Sequence, residues 1–193
     1  MLPPCHLEVG RPAKHFSNGL LDMNTEQRDS STGPEFYSLA QIQHLLRVEF
    51  GRAQRYLYPI SVLMLSLDQI GALRDAAGYE AKESALEEVV GLLHAQTRGS
   101  DLVGRLPDDR LLIVVPHTPP AELKVLLERL LAAVRTLEGA NGGKLSLSAG
   151  VSSSEAGGTL FHDELLRCAE SALAVSAEAG GDRWTALAPG SAE

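Results

Sequence analysis

The stretch Arg98-Gly-Ser-Asp-Leu-Val-Gly-Arg-Leu-Pro-Asp-Asp-Arg-Leu-Leu-Ile-Val-Val-Pro116 sets how the rest of the chain is read. Charged residues open it, an apolar run closes it, and Pro107-Asp108-Asp109 stands between the two. Proline presets φ at the second position of a turn, and aspartate tolerates the positions that follow. The pattern predicts a hairpin: a strand over 101–106, a tight turn, and a buried strand over 111–115. Charge at both ends of an apolar hairpin marks a candidate site mounted on a core.

Upstream, Leu39, Ile42, Leu46, Phe50, Ala53 and Leu57 recur near helical spacing behind Ser38, a residue suited to an N-cap, so a helix of about five turns is expected up to Tyr58-Pro59. Ile60 to Leu65 is continuously apolar and predicts a strand covered on both faces. Helical material over 69–77 is interrupted at Gly78. The next helix begins near Tyr79, with Leu86, Val89, Val90 and Leu93 inward and Glu80, Lys82, Glu83, Glu87 and Glu88 expected outward.

Downstream of the hairpin, Pro119-Pro120 opens a helix with Leu123, Leu126, Leu127, Leu130, Leu131 and Val134 inward and Arg129 exposed. A turn around Asn141-Gly142-Gly143 leads to a strand over 145–151. A last helix over 163–179 is capped by Gly180-Gly181, and a short strand over 183–187 follows. Strands and helices intermixed in this order predict one α/β sandwich with a central mixed sheet of about five strands flanked by helices.

Composition narrows the function. The net charge of -8 argues against a nucleic-acid or anionic-membrane binder, since such partners require a basic surface. No apolar run approaches the roughly 20 residues that span a bilayer, so a cytoplasmic protein is expected. Cys5 and Cys168 make no disulfide framework, and Cys168 is read as a small packed residue. His6, His15, His44, His94, His117 and His162 show no metal-ligand spacing. Residues 1–34 lack any sustained period and are expected to form a flexible tail, with the folded domain over 35–188 and a second tail over 189–193.

Several fragments, in order, resemble the GGDEF domains of bacterial diguanylate cyclases. They are Glu49-Phe50-Gly51-Arg52 before Pro59, Leu65-Ser66-Leu67-Asp68, Asp75-Ala76-Ala77-Gly78-Tyr79, Arg98-Gly99-Ser100-Asp101, Arg105-Leu106, Leu147-Ser148-Ala149-Gly150-Val151 and Ala169-Glu170-Ser171-Ala172-Leu173. The resemblance covers roughly residues 36 to 187 and implies a palm-like fold shared with nucleotide cyclases.

It also implies that catalysis is lost. The signature positions fall on Pro107-Asp108-Asp109-Arg110-Leu111, which keep only the acidic third residue, Asp109. Pro107 replaces a glycine that lets the backbone approach the nucleotide. The first-strand carboxylate position is Ser66, and the acidic position after Asp109 is Arg110, a cation expected where metal would sit. The guanine-reading positions fall on Arg74 and Glu83, and the phosphate-holding positions on Gly71, Ala177 and Gly181. Two-metal phosphoryl transfer needs a carboxylate pair, so no catalytic residue, metal or cofactor is expected.

One family site is intact. The inhibitory R-x-x-D motif falls on Arg98 and Asp101, and Arg129 matches the second arginine of that site. The resemblance thus implies an inactive domain that receives cyclic di-GMP at Arg98, Asp101 and Arg129 and relays it to a protein partner or a second copy of the chain. The rival expectation is a scaffold that works without nucleotide. A guanidinium fork suits guanine O6 and N7, and a carboxylate can accept from the N–H groups of the base.

Overall fold

In the computed structural model, residues 36–140, 142–155 and 161–190 are described. The tail expected over 1–34 lies outside them.

Helix α1 spans Leu39–Tyr56. The Ser38 amide donates to Gln41 Oε1 at 2.9 Å, which satisfies one of the amides a helix start leaves free. Ile42, Leu46, Phe50 and Ala53 form its buried stripe, and Leu57 turns the chain in the left-handed region at φ 56°. Strand β1, Ile60–Leu67, is buried along nearly its whole length. The reason is its place at the centre of the sheet, whose order is β2-β3-β1-β4-β5.

Helix α2, Ile70–Gln96, carries the expected interruption at Gly78, which adopts φ 89° and ψ 176°. A left-handed φ there is open to glycine at little steric cost. Strands β2, Leu102–Arg105, and β3, Leu111–Pro116, form the expected hairpin, registered through Leu102 opposite Val114 and Arg105 opposite Leu111. Helix α3 spans Pro120–Val134, with proline at its first turn and all six expected leucine and valine side chains buried.

Glu138 and Lys144 pair across the glycine-rich turn, and strand β4 follows at Leu147–Ser154, later and longer than its alternation suggests. Helix α4 spans His162–Glu178, begins with Asp163 and Glu164 in its first turn, and ends where the Gly181 amide donates to the Ser176 carbonyl. Strand β5, Trp184–Ala186, runs parallel to β4, whereas β1 pairs antiparallel with both β3 and β4.

Alternation along β1 divides the interior in two. Leu63, Leu65 and Leu67 meet Leu86, Val89 and Leu93 of α2 and Leu127 and Leu130 of α3. Val62 and Met64 meet Ile42 and Leu46 of α1 and Leu165 and Ala169 of α4. The result is a mixed five-stranded sheet between two helical layers, as the sequence predicts. Apart from Ala169, each of these buried side chains contributes about 1.5 to 3 kcal/mol relative to exposure. Among the described residues no helix is long and apolar enough to cross a membrane.

Candidate functional site

The hairpin presents two charged regions, one at its turn and one at its entrance. At the turn, the Leu106 amide donates to the Arg110 carbonyl at 2.8 Å and the Asp109 amide to the Leu106 carbonyl at 3.2 Å. Asp109 sits at φ 65°, a conformation aspartate adopts more readily than most residues. The turn geometry thereby aims the Asp109 carboxylate back toward α2.

There the structure corrects the outward placement of Lys82 and Glu83. Lys82 Nζ lies 2.5 Å from Asp109 Oδ2 and 3.7 Å from Glu83 Oε1. Arg105 donates to both Glu83 oxygens, at 2.8 and 2.9 Å, and to Asp109 Oδ1 at 2.8 Å. The Lys82 side chain is only 11% exposed.

The signal was present in the stripe itself, because position 82 lies one turn before Leu86 and two before Val89 on the same face. Bonding to Asp109 raises the Lys82 pKa. The Arg105 bond lowers that of Glu83. For Asp109, burial pushes the carboxyl up, but the bonds from Lys82 and Arg105 outweigh it and leave the group below its ordinary value.

Arg110 does not occupy the place expected of it. Its guanidinium reaches Asp108 at 2.6 Å and Glu170 of α4 at 3.0 Å, so the cations that meet Asp109 are Lys82 and Arg105 instead. Ser66 carries a hydroxyl where a metal-binding carboxylate is implied, and Arg74 pairs with its neighbour Asp75 at 2.9 Å. Among the described residues no group of three or more His, Cys, Asp or Glu side chains is arranged to hold a metal ion. Gly181 stands against Asp68, whose carboxylate accepts from Ser146, Ser148 and the Asp182 amide.

At the entrance, α2 ends where Thr97 Oγ1 donates to the Leu93 carbonyl at 3.0 Å. The Arg98 amide donates to Asp101 Oδ2 at 2.8 Å, and the Asp101 amide returns a bond to the Arg98 carbonyl at 2.9 Å. This reciprocal pair fixes the four-residue turn that presents both side chains. Arg98 and Asp101 line a notch of about 190 Å³ together with Glu122 and Arg129 of α3, above the apolar Val115 and Leu126.

Arg129 is exposed, as its helical position predicts, and donates to the Gln96 carbonyl at 2.7 Å. Arg98 lies 3.5 Å from Glu122. Burial pushes the Asp101 carboxyl above its ordinary value, against the lowering effect of the Arg98 amide. Glu122, which shares a helical face with Val125 and Arg129, is the notch residue that sequence reasoning missed.

The diguanylate cyclase GGDEF domain model matches residues 27–183. The chain is 26% identical over 157 residues to the probable diguanylate cyclase DgcC of Escherichia coli K12, a match covering 81% of this chain and 42% of that protein. It therefore spans less than half the length of that relative. The GGDEF domain of DgcB from Caulobacter crescentus, solved in complex with c-di-GMP, superposes with a TM-score of 0.74 at 16% identity, over 83% of this chain and 98% of that one. Diguanylate cyclase SiaD from Pseudomonas aeruginosa, solved in complex with its activator SiaC, gives 0.72 at 24%, over 79% and 58%. The match of the family model along most of its length shows that this chain belongs to the GGDEF domain family of diguanylate cyclases.

Proposed function

We propose that this GGDEF domain has lost GTP condensation and serves as a receptor for cyclic di-GMP at Arg98, Asp101 and Arg129, passing the bound state to a protein partner in the cytoplasm. The observation that carries the reading is the convergence of these three side chains, from the α2–β2 turn and from α3, on one notch.

The notch suits the edge of a purine, with the remainder of the dinucleotide lying across the surface. Each guanidinium has five N–H donors, so the bond from Arg129 to Gln96 leaves donors for guanine O6 and N7. Asp101 can accept from the base's N–H groups. Each well-formed bidentate contact of this kind is worth about 1 to 3 kcal/mol.

Loss of turnover is supported by the hydroxyl at Ser66, by Pro107 in the turn, and by the two cations on Asp109. DgcB is a solved example of a GGDEF domain with c-di-GMP, and SiaD one of a diguanylate cyclase with an activator protein. Calorimetric titration with cyclic di-GMP tests the receptor reading. Binding by the wild type that is lost in Arg98→Ala and Arg129→Ala is expected. Absence of heat with the wild type, or equal affinity in all three proteins, overturns it and leaves the nucleotide-independent scaffold. Incubation with GTP and Mg²⁺ tests the inactivity, and formation of cyclic product would overturn that half.

A further inference from the structure

The family's chemistry would ask Asp109 to hold a divalent cation, and the residues around it do not fit that task. Both oxygens of Asp109 already face fixed positive groups, Oδ2 toward Lys82 Nζ and Oδ1 toward Arg105. Both oxygens of Glu83 face Arg105, and Oε1 also faces Lys82. Two cations and two carboxylates close on each other with no net charge. Lys82 is held in place by the Tyr79 ring, 5.1 Å from Nζ, as well as by its anionic partners. A metal at Asp109 would have to displace one of these partners and then stand beside the positive charge of the other.

We propose that Lys82, acting beside the family-like Arg105, has taken over the charge role of a metal in this corner of the fold. Their ammonium and guanidinium groups neutralise Asp109 and Glu83, tie the hairpin turn to α2, and make the hairpin's conformation independent of divalent cations. Lys82 is the decisive residue, since among the described residues it is the one that brings a positive charge to Oδ2 of Asp109. This inference deepens the reading that turnover is lost, and it does not depend on cyclic di-GMP binding.

The test is a Mn²⁺ titration of the full chain followed by water-proton relaxation. Wild type and Asp109→Asn are expected to titrate alike, because Asp109 takes no part in metal binding. Lys82→Met keeps the length and apolar stem of the side chain while removing its charge. It is expected to gain a Mn²⁺ site roughly tenfold or more tighter than any in the wild type, and Lys82→Met/Asp109→Asn is expected to lose it. Wild-type Mn²⁺ binding that disappears in Asp109→Asn overturns the inference. So does a folded Lys82→Met that binds no more Mn²⁺ than the wild type.

Should Lys82→Met not fold, the comparison of wild type with Asp109→Asn decides alone. Like titrations support the inference, and a difference overturns it. A wild type that ignores Mn²⁺ at Asp109 yet binds no cyclic di-GMP would sink the receptor reading and leave this one standing. GTP turnover with an Asp109-dependent metal site would overturn both this inference and the loss of catalysis.

Discussion

The Arg98 guanidinium stands 3.5 Å from the Glu122 carboxylate across the mouth of the notch, so the arginine proposed to read guanine already has an anionic partner. Both side chains are more than half exposed, at 64% and 58%. Ion pairs of that exposure are worth about 0 to 1 kcal/mol. The pair is thus a weak competitor that a ligand can displace. Glu122→Gln is expected to strengthen cyclic di-GMP binding by up to about fivefold, measured by calorimetry at low salt. A weaker affinity would instead make Glu122 a direct contact of the ligand.

Asp101 gives a prediction in which stability and binding move in opposite directions. Burial raises its folded-state pKa above the unfolded value, so the ionised form is penalised in the folded protein. That penalty is absent below the unfolded pKa, grows as pH rises from the unfolded to the folded value, and is fully present above the latter. Asp101→Asn keeps an oxygen that can accept from the Arg98 amide and removes the charge. It is expected to match or exceed the wild type in urea denaturation at neutral pH while binding cyclic di-GMP at least tenfold more weakly, for loss of about one charge-assisted hydrogen bond. Unchanged affinity would remove Asp101 from the site.

The ring at Asp109 titrates with the other sign. Glu83 and Asp109 have folded pKa values below their unfolded ones, so their stabilisation is present above the unfolded carboxylate pKa, about 4, and is lost as pH falls through the depressed values. Lys82 is raised, so its contribution is complete below its unfolded pKa, about 10.4, and is lost as pH rises through the higher folded value. The stability difference between wild type and Asp109→Asn is therefore expected to be level between about pH 5 and 9 and to shrink below about pH 4. Urea midpoints across that range measure it. A difference that persists undiminished in acid would show that the ring is not the source.

What was legible in the sequence was local. The Ser38 cap, the break at Gly78, the hairpin around Pro107 and the leucine stripe of α3 each announce themselves within a few residues, and they suffice to place these elements along the chain, whereas the strand order of the sheet came only with the structure. At the entrance, Arg98 and Asp101 were singled out by the R-x-x-D spacing that the family resemblance carries, and the structure places them in one turn. The ring was not legible, because its members come from α2 and from the hairpin, and charged residues on a helix read as solvent-facing until a partner across space is known. Glu122, and the contacts that Asp68 makes, were missed for the same reason, the partners being far away along the chain.

Helix α4 lies directly on the backbone of β4 at Gly150. A Cβ added there would overlap the Ala169 carbonyl and the Leu173 amide, and neither can yield without moving the helix. This approach lets Leu165, Ala169 and Leu173 reach the core beside Met64. Gly150→Ala is expected to destabilise the domain by about 3 kcal/mol, the upper range for overpacking. A urea midpoint close to that of the wild type would show that α4 can shift at no cost.

Asp68 joins three parts of the fold at the end of β1. Its carboxylate accepts from Ser146 Oγ at 2.7 Å, from Ser148 Oγ at 2.6 Å and from the Asp182 amide at 2.9 Å, while its own amide donates to the Ser146 carbonyl. Asp182 is in turn gripped by Arg135 just beyond α3, at 2.8 and 3.0 Å. The carboxylate thus fixes the turn between α4 and β5 against the centre of the sheet. Asp68→Ala removes three acceptor contacts to a charged group and is expected to cost about 2 to 3 kcal/mol, with amide protons of β5 exchanging faster than those of β1. Asp68→Asn keeps only one acceptor oxygen and should fall between the two proteins. A loss under about 0.5 kcal/mol for Asp68→Ala would show that water replaces the carboxylate and that the turn holds without it.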